Sequence, residues 1–106
     1  MLFKPEHKQL ILESKKTQTR RIWKKPLVRV GGTYKAKLKL FSKDYFARIK
    51  VIKLFKQRLG DISLTDINKE GYSTLEDFKR IWIEINEAWD PNLNVTVVEF
   101  ELIKDG

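Results

Sequence analysis

Residues 46–56 read Phe46-Ala47-Arg48-Ile49-Lys50-Val51-Ile52-Lys53-Leu54-Phe55-Lys56, and the fold can be read outward from them. Ala47, Ile49 and Val51 alternate with Arg48 and Lys50, the period of a strand with one face inward. The phase then slips, because Ile52 and Leu54 become the apolar pair with Lys53 between them. A β-bulge near Val51-Ile52 accounts for the slip, and bulges bend sheets toward barrels. Upstream, Gly31-Gly32 turns the chain into a simpler strand, Thr33 to Leu40. Tyr34, Ala36, Leu38 and Leu40 face the core there, and Lys35, Lys37 and Lys39 form an outer row. Such a row keeps a sheet edge from pairing with other chains. Its alternative use is to track a phosphate backbone. Val95 to Ile103 closes the chain as a strand, with a second slip between Val97 and Val98.

Helical periods flank these strands. Pro5 suits a first helical turn, and the spacing predicts a helix over 5–14. Thr17 to Trp23 alternates like a strand until Lys24-Lys25-Pro26 breaks it. Ser63 with Asp66 caps a short helix carrying Leu64 and Ile67, closed by Gly71. Ser73 with Glu76 forms a capping box before a stripe of Leu75, Phe78, Ile81, Trp82 and Ile85. Asp90-Pro91-Asn92 is a turn. Consecutive bulged strands with helices set apart predict an α+β fold, a small mixed β-barrel or curved sheet with flanking helices, over 1–106 as a single domain.

Composition narrows the function. With 42% apolar and 34% charged residues in 106, the chain suits a globular fold with one modest core. No apolar run approaches the ~20 residues of a membrane span. Lys4, Glu6, His7 and Lys8 do not resemble a signal peptide, so the expected location is cytoplasmic. With no cysteine and a single histidine, no metal site and no cofactor are expected. The net charge of +8 is polarised. Residues 1–60 hold 18 Lys and Arg against three acids, and residues 61–106 hold four against 11. A basic half of that kind attracts polyanions.

The densest cationic stretch is Ser14-Lys15-Lys16-Thr17-Gln18-Thr19-Arg20-Arg21. Thr17 and Thr19 share one face of an extended strand, while Arg20 and Arg21 leave on opposite faces, so at most one reaches a common cleft. Cations interleaved with hydroxyls suit an anionic, hydrogen-bonding ligand such as a nucleotide. Were Lys16 buried in such a cleft, its pKa would fall and proton transfer near neutrality would become feasible. Trp23 is a candidate to stack on a base. Tyr34 and Trp82 belong to the core by their phase, and His7, near a helix start, is expected at the surface.

This stretch resembles the Gly-Arg-Lys-Thr-x-Thr-x-Arg signature of the ASCH domain, a PUA-like β-barrel. Leu10-Ile11-Leu12 is similar to the first helix of that family, and Val30-Gly31-Gly32 to its Val-Gly-Asp turn. Asp66 through Gly71 with Tyr72, Ser73 and Phe78 resembles its helical region, and Val97-Val98-Glu99-Phe100 its last strand. Ser14 stands where the signature has glycine, and Gly32 where the turn has aspartate. The doubled Arg20-Arg21 looks like the mostly archaeal-type branch of single-domain members. The resemblance implies RNA or nucleotide as partner, in a cleft lined by Lys15, Lys16, Thr17, Thr19, Arg20, Arg21 and Trp23. One bacterial branch hydrolyses acetylcytidine, and its Lys, Thr and Glu correspond to Lys16, Thr19 and Glu70. The alternative function is therefore a small hydrolase acting on a modified nucleoside or on RNA. On the binding reading Lys16→Ala weakens RNA or nucleotide binding and leaves thermal unfolding nearly unchanged. Oligomeric state is left open.

Overall fold

The bulge expected near Val51-Ile52 is present. In a computed structural model, which describes residues 1–104, Val51 lies opposite Phe100 and Lys53 opposite Glu99. Ile52 is the extra residue and turns outward, 45% exposed. It interrupts β3 (Ala47–Arg58), the longest strand of an antiparallel sheet ordered β1-β4-β3-β2. The others are β1 (Gln18–Arg21), β2 (Thr33–Ala36) and β4 (Asn94–Ile103). Helix α1 (Pro5–Leu12) precedes β1, while α2 (Leu64–Lys69) and α3 (Leu75–Asn86) lie between β3 and β4. The result is a curled antiparallel half-barrel with three helices, the α+β class expected. No helix of the described residues is long and apolar enough to cross a membrane.

The apparent slip in β4 has another cause. Its register runs unbroken against β1 and β3 through Val97 and Val98. Val95 and Val97 pack with Leu59, Phe78 and Trp82, whereas Val98 packs with Val28 and Val51. As an inner strand covered on both faces, β4 carries consecutive apolar residues without a bulge.

Several boundaries also move. β2 ends at Ala36, and Leu40 is 65% exposed, because residues 37–46 leave the sheet as a loop. That loop is braced by Lys37 Nζ donating to the Ser42 carbonyl at 2.7 Å and by Phe46 N–H donating to the Ala36 carbonyl at 3.0 Å. Ser63 caps α2 as predicted, its hydroxyl accepting from Asp66 N–H at 3.1 Å. For α3 the cap is Thr74, one residue later than Ser73, accepting from Asp77 N–H at 3.2 Å. Of the α3 stripe, Phe78 and Trp82 are buried, while Leu75 and Ile85 remain exposed.

The N-terminal residues link the outer strands. Phe3 N–H donates to the Lys37 carbonyl and Lys37 N–H to the Met1 carbonyl, both at 2.8 Å. From the other edge, Arg21 Nη2 donates to the Leu2 carbonyl at 2.7 Å. The segment thus sits between β1 and the end of β2, where the curled sheet would otherwise stay open.

Candidate functional site

Two backbone reversals build the site. After α1, Ser14 takes a left-handed φ of 58°, and Lys15 and Lys16 N–H both return to the Leu10 carbonyl. Glycine at this position would adopt that φ without strain, which serine does not. The reversal throws the Lys16 side chain inward. At the far end of α2, Gly71 has φ 100°, and a Cβ there would lie 3.0 Å from Leu10 Cδ1 and 3.5 Å from Lys16 Cβ. Only glycine lets the end of α2 approach the α1–β1 junction so closely, and Glu70 precedes it.

Lys16 Nζ donates to Glu70 Oε1 at 2.9 Å and to the Glu70 carbonyl at 3.1 Å. Arg20 Nη1 donates to Glu70 Oε2 at 2.8 Å and to Gln18 Oε1 at 2.9 Å. The other side of the guanidinium reaches Gln57 Oε1 at 2.9 Å and Asp66 Oδ2 at 3.3 Å. The side chains of Lys16, Arg20 and Glu70 are 2%, 0% and 4% exposed. Both oxygens of Glu70 are therefore held by cations in a nearly dry setting. Charged groups buried this far need partners, and here each has one. Burial is the largest influence on Lys16 and lowers its pKa, with Glu70 opposing. Burial pushes Asp66 upward, but Arg20 and hydrogen bonds from Ser63 and Gln18 outweigh it and leave its pKa below the ordinary value.

Beside this network is a cavity of about 420 Å³. Lys16, Thr19, Arg20, Arg21 and Glu70 border it together with Phe3, His7, Tyr72, Phe78 and Trp82. Arg21 Nε donates to Thr19 Oγ1 at 3.2 Å, and its guanidinium carbon lies 5.0 Å from the Phe3 ring centroid. No carboxylate of the described residues forms an ion pair with Arg21. Burial lowers its pKa, yet a guanidinium stays charged at neutral pH. Lys4, paired with Glu6 at 3.7 Å and Glu84 at 4.0 Å, also lines the cavity, so four cations border it against one lining carboxylate. The cavity is electropositive, with a largely aromatic and aliphatic wall.

The candidate residues separate here. Lys16, Thr19, Arg20, Arg21 and Glu70 border one cavity. Both arginines do so although β1 sends them to opposite faces, opposite Val97 and Thr96, because β1 is an edge strand and the cavity runs around that edge. Lys15 does not join them; it is exposed and pairs with Glu13 at 3.0 Å. Thr17 serves through its backbone, donating to the Lys69 carbonyl at 2.7 Å and accepting from Phe100 N–H at 2.9 Å. Trp23 lies away from the cavity, packed against Val28, Val51 and Val98.

His7 overturns its surface assignment. It is 6% exposed, and its Nε2 is hydrogen-bonded to the Tyr72 hydroxyl at 2.5 Å. Burial, with Lys16, Arg21 and Lys4 nearby, lowers its pKa to about 3, so the imidazole is neutral. Burial likewise raises the Tyr72 hydroxyl above its ordinary value. The usable signal was spacing, since His7 lies four residues before buried Ile11 and so on the same helix face.

No family model and no curated protein matches the sequence. Solved structures do resemble it. An ASCH domain from Lactobacillus crispatus is 14% identical over 90% of this chain and 69% of that one, with a TM-score of 0.64. ASCH from Zymomonas mobilis is 12% identical over 98% of this chain and 68% of that one, with a TM-score of 0.66. The hypothetical protein PH0355 is 18% identical over 97% and 96% of the two chains, with a TM-score of 0.72. Likeness at such identities concerns backbone architecture, and in architecture this chain has an ASCH-type fold.

Proposed function

We propose that this protein binds a nucleotide, free or as part of RNA, in the cavity beside β1. The observation that carries the reading is Arg21, a half-buried guanidinium on the cavity wall that no acidic side chain of the described residues pairs. A phosphate placed there receives charge-assisted hydrogen bonds without displacing an existing ion pair. The aromatic side of the cavity, with Tyr72, Phe78 and Trp82, offers a planar base its apolar surroundings. A volume of about 420 Å³ lies within the range of small-ligand sites, ~300–1,000 Å³. Lys16, Arg20 and Glu70 hold the wall in place, and Thr19 adds a hydroxyl beside Arg21.

Calorimetric titration with nucleoside 5′-monophosphates and the matching uncharged nucleosides tests the reading. The phosphate form binds more tightly, and Arg21→Gln weakens it by about tenfold or more, ~1.4 kcal/mol. Equal affinity for nucleoside and nucleotide, or an Arg21→Gln variant that binds as well as the wild type, refutes it.

A hydrolase acting on a modified nucleoside is the second reading, favoured by the lowered pKa of Lys16 and by Thr19 at the same cavity. Against it, both Glu70 oxygens already accept from cations, and Thr19 Oγ1 accepts from Arg21. A hydroxyl nucleophile needs an adjacent base to take its proton. Incubation with acetylcytidine separates the two readings: release of cytidine that Thr19→Val abolishes establishes turnover.

A further inference from the structure

The cavity has a neighbour. Leu38 borders it and also borders a second hollow of about 290 Å³. Lys8 and Lys39 line that hollow against a single acid, Asp44, and Tyr45 and Phe46 supply aromatic surface. Tyr45 is 47% exposed, with Lys35 Nζ 5.0 Å from its ring centroid. At the tip of the same loop Phe41 is 96% exposed and has φ 64°. A left-handed backbone at a bulky residue is costly, and such outliers gather where a loop has a task. The loop is held by its own hydrogen bonds, Lys37 to Ser42 at 2.7 Å and Asp44 N–H to the Ser42 hydroxyl at 3.0 Å. The backbone that carries these rings is therefore braced.

Exposed rings interleaved with lysines form a stacking platform for single-stranded nucleic acid: bases lie on the rings and phosphates beside the cations. We propose that the Tyr45 hollow is a second nucleotide subsite, so that the protein takes a single RNA strand of at least two nucleotides rather than a free mononucleotide. Lys8 and Lys39 hold the phosphate that follows the nucleotide in the first cavity, and Tyr45 stacks on the next base. This rests on the nucleotide reading of the first cavity.

Fluorescence anisotropy with a labelled RNA tetranucleotide of randomised sequence, alongside calorimetry with a mixture of the four nucleoside 5′-monophosphates, tests it. The tetranucleotide binds at least about tenfold tighter than the monophosphates. Tyr45→Ala removes about 5- to 150-fold of tetranucleotide affinity, the worth of one stacked base, and leaves monophosphate affinity unchanged. Lys8→Ala with Lys39→Ala makes tetranucleotide binding less sensitive to salt. Arg21→Gln weakens both ligands. A tetranucleotide that binds no tighter than the monophosphates, or a Tyr45→Ala variant that loses neither ligand or loses both equally, overturns the second subsite while the first stands. If the wild type binds neither ligand, both readings fall. Equal unfolding midpoints of Tyr45→Ala and wild type keep the comparison clean.

Discussion

Glu70→Gln is the most informative single change, because it tests whether the charges behind the cavity are as dry and as interdependent as their geometry requires. The carboxylate accepts from Lys16 at 2.9 Å and from Arg20 at 2.8 Å, and none of the three side chains exceeds 4% exposure. A hydrogen bond to a charged group contributes ~1.5–3 kcal/mol. Removing one partner of a buried pair costs ~3–5 kcal/mol, because it strands the other charge. Here Lys16 loses its carboxylate and keeps only the Glu70 carbonyl at 3.1 Å, whereas Arg20 keeps Asp66 at 3.3 Å, so ~3–5 kcal/mol is expected rather than twice that. For a domain of total stability ~5–15 kcal/mol this is a large share. It moves a urea midpoint down by ~2 M if the m-value is ~1.5–2 kcal/mol/M. Urea unfolding followed by tryptophan fluorescence reads it, with exposed Glu101→Gln, expected within ~0.5 kcal/mol of wild type, as control. A loss for Glu70→Gln below ~1 kcal/mol would refute the reasoning. It would mean that water enters the network or that an amide satisfies Lys16 as well as a carboxylate does. The same geometry revises what the sequence suggests for Lys16→Ala. That variant is not thermally silent, since it empties a fully buried volume and removes one of the two cations on Glu70, at ~2–4 kcal/mol.

The remaining predictions concern a titration and two backbone positions. His7 has a folded pKa of about 3 and an unfolded one near 6.5, so the unfolded chain binds the extra proton and stability falls as pH drops through that window. Allowing for screening in an open cavity, we expect ~2 kcal/mol lost between neutrality and pH ~4 on this account, and His7→Gln should flatten that slope in urea titrations across pH. An unchanged slope would place the acid sensitivity elsewhere. Ser14→Gly relieves a φ of 58° and should raise the unfolding free energy by ~0.5–1 kcal/mol, read from the thermal midpoint. Gly60→Ala should do the opposite, by ~1–3 kcal/mol, because its Cβ would stand 2.7 Å from Pro91 Cβ and 2.9 Å from the Pro91 carbonyl.

Local pattern was enough for the bulge. The shift from Val51 to Ile52 in residues 46–56 appears in the register as one unpaired residue, since side-chain alternation is a property of the strand itself. The Ser63 cap and the Gly71 stop were legible for the same reason. Patterns ambiguous between two causes misled. Val97-Val98 looked like a second bulge but reflects burial on both faces of β4, and Leu38 and Leu40 kept strand alternation into a loop.

The amino-acid sequence by itself determined the α+β class, the curled sheet and the cationic character of the Lys16–Arg21 stretch, because hydrophobic period, turn residues and charge all act over a few positions. Tertiary structure alone decided that Lys16 and Arg20 pair with Glu70, leaving Arg21 as the cavity cation that no carboxylate of the described residues pairs. It also decided that His7 is buried and neutral, while Lys15 and Trp23 stand apart from the site. Which charge meets which depends on contacts across about fifty residues of chain and on how little water remains between them, and neither quantity is present in any local stretch.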